Sequence, residues 1–208
     1  MAFQSIFVDT KLPHDIVNII EKDVEQFDAE LSESKVKGGN KDNLNLKIRK
    51  SLNSWIPSSH WIGGFLWHYV MLANRTNFLY DLSFIDGGII QYTQYHQGHY
   101  YGWHNDAGII EMIKPKSFTN KCEARGDDFI NKNIEMVRKL SFTVQLSDPD
   151  EYEGGNVQLL NETGKLYVAP RQRGQVIMFD SRTQHRVCKV RSGVRKSLVG
   201  WVVGPRWR

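Results

Sequence analysis

The stretch YHQGHYYGWHND, residues 95–106, packs three tyrosines, three histidines, a tryptophan and an aspartate into twelve positions. In an extended chain His104 and Asp106 lie two apart and point to the same side, so both can reach one metal ion. A bare H-x-D triplet recurs by chance, and its members more often cap or hydrogen-bond than ligate, so a third ligand is required. His185 is the candidate: it follows the apolar run GQVIMFD in SRTQHRV, distant in sequence but reachable across a barrel. Two histidines and a carboxylate can occupy one face of an octahedral iron and leave positions open for substrate and oxygen. Zinc could use the same three ligands with water as a fourth.

Arg195 bears on that choice. It sits ten residues after His185 in VRKSLVGWVV. A guanidinium facing a polar barrel interior is costly unless a carboxylate satisfies it, and a dicarboxylate co-substrate would do so bidentately. Zinc hydrolysis has no need of that feature.

A β-rich scaffold must position these residues. From about Leu82 the chain breaks into short strand-like runs, GGIIQYTQY, KLSFTVQLS, GNVQLL, LYVAP, GQVIMFD, HRVCKV and SLVGWVV, separated by glycine, proline and acidic turn signals. Many short strands imply a sandwich or barrel. In KLSFTVQLS one face is Leu140, Phe142, Val144 and Leu146; the other is Ser141, Thr143, Gln145 and Ser147, which either lines a polar pocket or meets solvent. Ahead of these runs, Ile16, Ile19, Ile20, Val24, Phe27 and Leu31 recur at helical spacing after Pro13. Residues 32–45 read as a turn or flexible loop, and SSHWIGGFLWHYVMLANRTNFLYDL as a second, buried helix. The organisation expected is one structural domain: a helical support region over residues 1–81 and a β core over 82–208 with an insertion at 107–138. That insertion is long enough to predict a lid over the site.

Composition sets the outer limits. At 208 residues and 40% hydrophobic, the chain can bury a core. The longest apolar stretches fall short of the roughly 20 residues that cross a bilayer, so no membrane partner is expected. No secretory leader is visible, and Cys122 and Cys188 are too few for a disulfide framework, so a cytoplasmic setting is expected. Cys188 reads as a small buried strand residue. The net charge is +4, but residues 165–208 hold eleven Lys or Arg against one acid, Asp180, which reads as a solvated basic face or as attraction for an anionic partner.

The residues Tyr95, Gly98, Tyr101, His104 and Asp106, then RKLSFTVQLSDPDEYEGGNVQLL, then RGQVIMFDSRTQHRVCKVRSGVRKSLVGW, carry a family resemblance. Over roughly residues 82–203 the chain resembles the Fe(II)- and 2-oxoglutarate-dependent dioxygenases of the prolyl 4-hydroxylase-like group, in particular the PKHD-type hydroxylases. The resemblance implies a double-stranded β-helix, a jelly-roll or cupin-like barrel, with His104, Asp106 and His185 holding Fe(II) and Arg195 gripping the distal carboxylate of 2-oxoglutarate. It implies Tyr95 beside the co-substrate, Trp201 walling its pocket, O2 as oxidant, succinate and CO2 as co-products, and dependence on ascorbate. Ser197, two residues after Arg195, is expected to assist the same carboxylate. His96 and His99 fall outside the ligand positions, and Tyr101 and Trp103 shape the substrate mouth or pack. A peptide or protein is the expected substrate, by prolyl 4-hydroxylase-like hydroxylation. Nucleic acid is the alternative, motivated by the basic C-terminal third; against it, nucleic-acid demethylases of this group carry a second arginine where Trp201 stands. A non-enzymatic jelly-roll binding domain is a third reading, disfavoured by the complete ligand set.

Overall fold

The structure, a computed structural model, describes residues 4–33, 49–107 and 136–207. The expected lid falls almost wholly at 108–135 and, with Cys122, lies outside the described residues. Among the described residues fifteen strands follow the order β1 (Ile6–Lys11), β2 (Ser32–Glu33), β3 (Arg49–Lys50), β4 (Leu52–Pro57), β5 (Phe84–Ile85), β6 (Ile89–Tyr95), β7 (Tyr100–His104) and β8 (Met136–Gln145). They continue with β9 (Tyr152–Gly154), β10 (Val157–Leu160), β11 (Leu166–Val168), β12 (Gln175–Asp180), β13 (His185–Val187), β14 (Val190–Gly193) and β15 (Arg195–Pro205). The helices are α1 (His14–Val24) and α2 (Trp61–Ala73).

The strands form a large antiparallel sheet, ordered β1-β12-β8-β15-β6-β4-β2 with β5 beside β15, and a smaller one, ordered β11-β10-β13-β7-β3. A third ladder joins β14 to β9. This is a jelly-roll arrangement, mainly β with two N-terminal helices.

Strand periodicity sorts the side chains into layers. On β8, Leu140, Phe142 and Val144, with Leu146 just past its end, pack with Val17 and Ile20 of α1 and Ile62, Leu66 and Val70 of α2 in one apolar cluster, so the helices cover one face of the large sheet. On β12 the alternate residues Ile177 and Phe179 turn the other way and pack with Val157 and Leu159 of the small sheet. The polar residues Ser141, Thr143 and Gln145 of β8, and Ser147 beyond its end, are all buried, so they line an interior and do not meet solvent.

The N-terminal part differs from the sequence expectation in several ways. Four strands, β1 to β4, come from the segment read as helical and loop-like, and β1 and β4 pair with β12 and β6. Of the three buried positions of β4, Asn53 and Ser54 are polar and Ile56 alone is apolar, so no apolar alternation marks the strand. The first helix ends at Val24 and passes into a 3-10 turn over Glu25–Glu30, and Ile19 points outward at 51% exposure. The second helix buries only the stripe Ile62, Leu66, Val70 and Ala73, leaving Trp61 and Leu72 exposed. Cys188 is half-buried and lies between β13 and β14, not within a strand. No helix among the described residues is long and apolar enough to cross a membrane.

Gly200 on β15 faces Phe142 on β8 across the ladder, and a Cβ there would sit 2.2 Å from Phe142 Cζ. Gly200→Ala is therefore expected to destabilise the fold by about 1–3 kcal/mol through overpacking, measured by denaturant unfolding. A loss below about 0.5 kcal/mol would contradict this packing.

Candidate metal centre

His104 ends β7 and His185 begins β13, and the two are directly opposed in the small sheet. The ladder slips between His185↔His104 and Val187↔Tyr101, so three steps on β7 match two on β13. Such an extra residue re-aims side chains. Tyr101 and His104, three apart, consequently lie on one side with their rings stacked at 3.5 Å. Asp106 lies in a bend beyond the end of β7, so it meets His104 through the turn of the chain and not through the strand pleat assumed from sequence. Its backbone N–H and that of Ala107 both donate to the Ser181 carbonyl at 2.9 Å.

One ligand atom from each of His104, Asp106 and His185 lies within 4.8 Å of the other two. His104 Nδ1 lies 2.8 Å from the Gly102 carbonyl oxygen, and His185 Nδ1 lies 3.0 Å from that of Thr183. A carbonyl can only accept, so each Nδ1 carries a hydrogen, and in the neutral ring each Nε2 presents a lone pair. Those Nε2 atoms face Asp106, at 3.8 Å from Oδ1 for His104 and 3.5 Å from Oδ2 for His185. Burial, reinforced by the neighbouring His185, pushes His104 down to about 4, which leaves it neutral at pH 7. Burial opposes charge on Asp106, but His185, His104, the Ser141 hydrogen bond and Arg138 outweigh it and hold the carboxyl below its usual range. Two nitrogen lone pairs and an ionised carboxylate converging on one point suit a divalent first-row metal with open coordination positions.

The large sheet supplies the rest. The Ser141 hydroxyl donates to Asp106 Oδ2 at 2.6 Å, tying β8 to the small sheet's ligand. On β15 the residues Arg195, Ser197 and Trp201 share the interior face, and on β6 Tyr95 stands opposite Arg195. Arg195 is 2% exposed; its Nη1 donates to Ser197 Oγ at 3.2 Å and its guanidinium lies 5.6 Å from the Tyr95 ring centre. Among the described residues no carboxylate pairs with it. A buried, unneutralised guanidinium is costly, and an incoming carboxylate would relieve that cost. Trp201 is half-buried, its ring under Arg138 at 4.3 Å and its buried indole N–H without a partner among the described residues.

All seven site residues read from the sequence therefore sit in or around one interior. His96 and His99 do not join the triad: His96 Nε2 contacts Gln94 Oε1, and His99 is buried with Nδ1 unpartnered among the described residues. Trp103 is 41% exposed beneath Arg186. Two contributors escaped the sequence reading. Ser141 was visible only as one of four alternating polar residues in KLSFTVQLS. Arg49 is buried, donates to Ser51 and Asn53, and stacks over Tyr101 at 4.6 Å; its one sequence signal is the polar alternation Arg49, Ser51, Asn53.

A His/Asp/His cluster in a jelly roll with a buried basic residue defines a class of mononuclear metal-site proteins, and the comparisons with known proteins narrow it. The chain belongs to the 2OG-Fe(II) oxygenase superfamily, whose family model matches residues 90–203. Similar curated proteins include a PKHD-type hydroxylase of Prochlorococcus marinus, 45% identical with 45% of this chain and 48% of that protein covered. Another, from Parvibaculum lavamentivorans, is 33% identical with 53% and 39% covered. The chain thus spans less than half the length of these curated relatives. Among solved structures, a Pseudomonas putida prolyl-4-hydroxylase superposes with TM-score 0.66 at 17% identity, covering 98% of this chain and 94% of that one. A Trichoplax adhaerens prolyl hydroxylase, bound to a hypoxia inducible factor peptide fragment, gives 0.69 at 13% identity, covering 95% and 83%. These structural likenesses establish a shared fold.

Ser141→Ala removes the one side-chain donor to Asp106 Oδ2 described above. Divalent metal affinity is expected to fall about 10–100-fold, as for other groups that orient a ligand. Titration with Co(II) measures it, and an unchanged affinity would show that Asp106 is held without Ser141.

Proposed function

We propose that the chain is a non-haem Fe(II)- and 2-oxoglutarate-dependent oxygenase that hydroxylates a C–H bond of a peptidyl substrate. The observation that carries the reading is the pairing of the convergent triad with Arg195, a buried guanidinium with no acidic partner among the described residues. His104, Asp106 and His185 would hold the metal, with Gly102, Thr183 and Ser141 fixing their orientation. Arg195, steadied by Ser197, would receive the distal carboxylate of 2-oxoglutarate, while Tyr95 and Trp201 wall the same interior and restrict water. Iron with 2-oxoglutarate and O2 supplies, when bound, oxidative decarboxylation to succinate and CO2 coupled to C–H hydroxylation.

A peptide substrate is supported by the prolyl hydroxylases among the similar structures, one of them bound to a peptide fragment. The nucleic-acid alternative draws less support. Much of the C-terminal basic charge is engaged within the molecule: Arg173 with Glu21, Arg182 with Asp180, Arg191 with Glu153, and Arg171 with the Pro149 and Tyr152 carbonyls.

The test is succinate formation from 2-oxoglutarate with Fe(II), O2 and ascorbate. The wild type is expected to turn over and His104→Ala to be inactive. Arg195→Ala is expected to weaken 2-oxoglutarate binding by at least about 30-fold, the lower end for loss of a buried charge partner. Ser197→Ala is expected to weaken it about 10-fold, the lower end of the scale for one hydrogen bond to a charged group, and an unchanged affinity would remove that residue from the co-substrate site. Folded, metal-loaded protein that forms no succinate would overturn the proposal.

A further inference from the structure

The turn between β12 and β13 carries more of the site than His185 alone. The Ser181 carbonyl receives the backbone N–H of both Asp106 and Ala107, and Ser181 Oγ lies 3.0 Å from Ser141 Oγ, whose neighbour is Asp106. The Thr183 carbonyl fixes His185 Nδ1. Any displacement of this turn therefore moves two of the three candidate ligands together.

The turn is in turn fastened from its far side by segments distant in sequence. Asp180 accepts the Tyr80 hydroxyl at 2.6 Å, the Arg182 backbone N–H at 2.8 Å and the Arg182 guanidinium at 2.9 and 2.5 Å. Trp207, beyond the end of β15, packs onto this cluster: the Arg182 guanidinium lies 4.1 Å from its ring centre and the Tyr80 ring stands edge-on at 4.6 Å. Lys139, whose ammonium is 4.6 Å from the same ring, uses its backbone carbonyl to accept the Ser181 N–H at 3.0 Å. Burial, then the bond to Asp180, pushes the Tyr80 hydroxyl far above its ordinary range, so it stays a donor at any working pH. The connection from Tyr80 and Trp207 to the ligands runs through the backbone of the turn.

We propose that Tyr80 and Trp207, acting on Asp180 and Arg182, are positioning residues that clasp the 180–185 turn and through Ser181 set the orientation of Asp106. The inference rests on the metal reading of the triad. It assigns a site function to an outer aromatic and ionic cluster that would otherwise be surface packing.

The experiment is Co(II) titration of the full chain well below its Tm, followed by visible absorption, with amide hydrogen exchange read at Asp106 and Ala107. Tyr80→Phe deletes a single hydroxyl and Trp207→Ala the ring; both are expected to weaken Co(II) about ten-fold, the low end for loss of groups supporting a ligand. Both are expected to speed exchange at the two amides, and Trp207→Phe, which keeps a ring over Arg182, to return both readouts towards wild type. A lower Tm with unchanged Co(II) affinity, spectrum and exchange would overturn the clasp and leave a structural role. Should Trp207→Ala fail to fold, Tyr80→Phe alone decides the matter. A wild type that binds no Co(II) would instead overturn the metal reading, with the exchange data still reporting whether Tyr80 holds Asp106.

Discussion

The two-residue period of the large sheet is the constraint on which the site depends. From Leu140 on β8 and Leu198 on β15, alternate residues are apolar or glycine and seal the helices onto the sheet, and the residues between them are thereby forced into the space facing the small sheet. Ser141, Gln145, Arg195 and Ser197 occupy those positions and are all buried. A one-residue slip in either strand would drive these groups into the apolar layer and expose Leu140, Phe142, Val144 and Leu198 to the interior. The register that gives the protein its core is the same register that aims the guanidinium and the serine that holds Asp106.

A polar interior is expensive, and the structure limits that cost by giving most groups local partners. The histidines each use their own chain's carbonyl two residues back, Asp106 takes Ser141, and Arg49 takes Ser51 and Asn53. What is left over is directional: two Nε2 atoms aimed at one carboxylate, and a guanidinium that, among the described residues, is supported by a neutral hydroxyl and no carboxylate. Those unsatisfied groups are where a cation and an anion are wanted, and they sit within one enclosed layer. Stability and function thus draw on the same residues in opposite senses, since an apolar replacement of Arg195 would suit the empty fold better than it would suit ligand binding.

Much of this was legible from the residues themselves. His104, Asp106, His185 and Arg195 carry unusual chemistry at strand ends, and the seven apolar runs after residue 82 punctuate a β core, so triad and barrel could be read together. The N-terminal strands could not, because the interior face of β4 is polar where it approaches the site and its sequence looks like a loop. The meeting of His104 with Asp106 was anticipated for a different geometric reason, as strand pleat cannot foresee the bulge in β7 or the bend after it. Ser141 was hidden by its ordinariness: a serine in an alternating strand carries no sign of the partner that tertiary structure brings to it.

The most direct test of the account is to locate a metal. Anomalous diffraction from crystals grown anaerobically with Fe(II) should give one strong peak about 2.0–2.2 Å from His104 Nε2, His185 Nε2 and a carboxylate oxygen of Asp106. That result would make the convergence of the three side chains the centre of the protein's chemistry. A peak elsewhere, coordination through either Nδ1, or no bound metal in well-ordered crystals would contradict it.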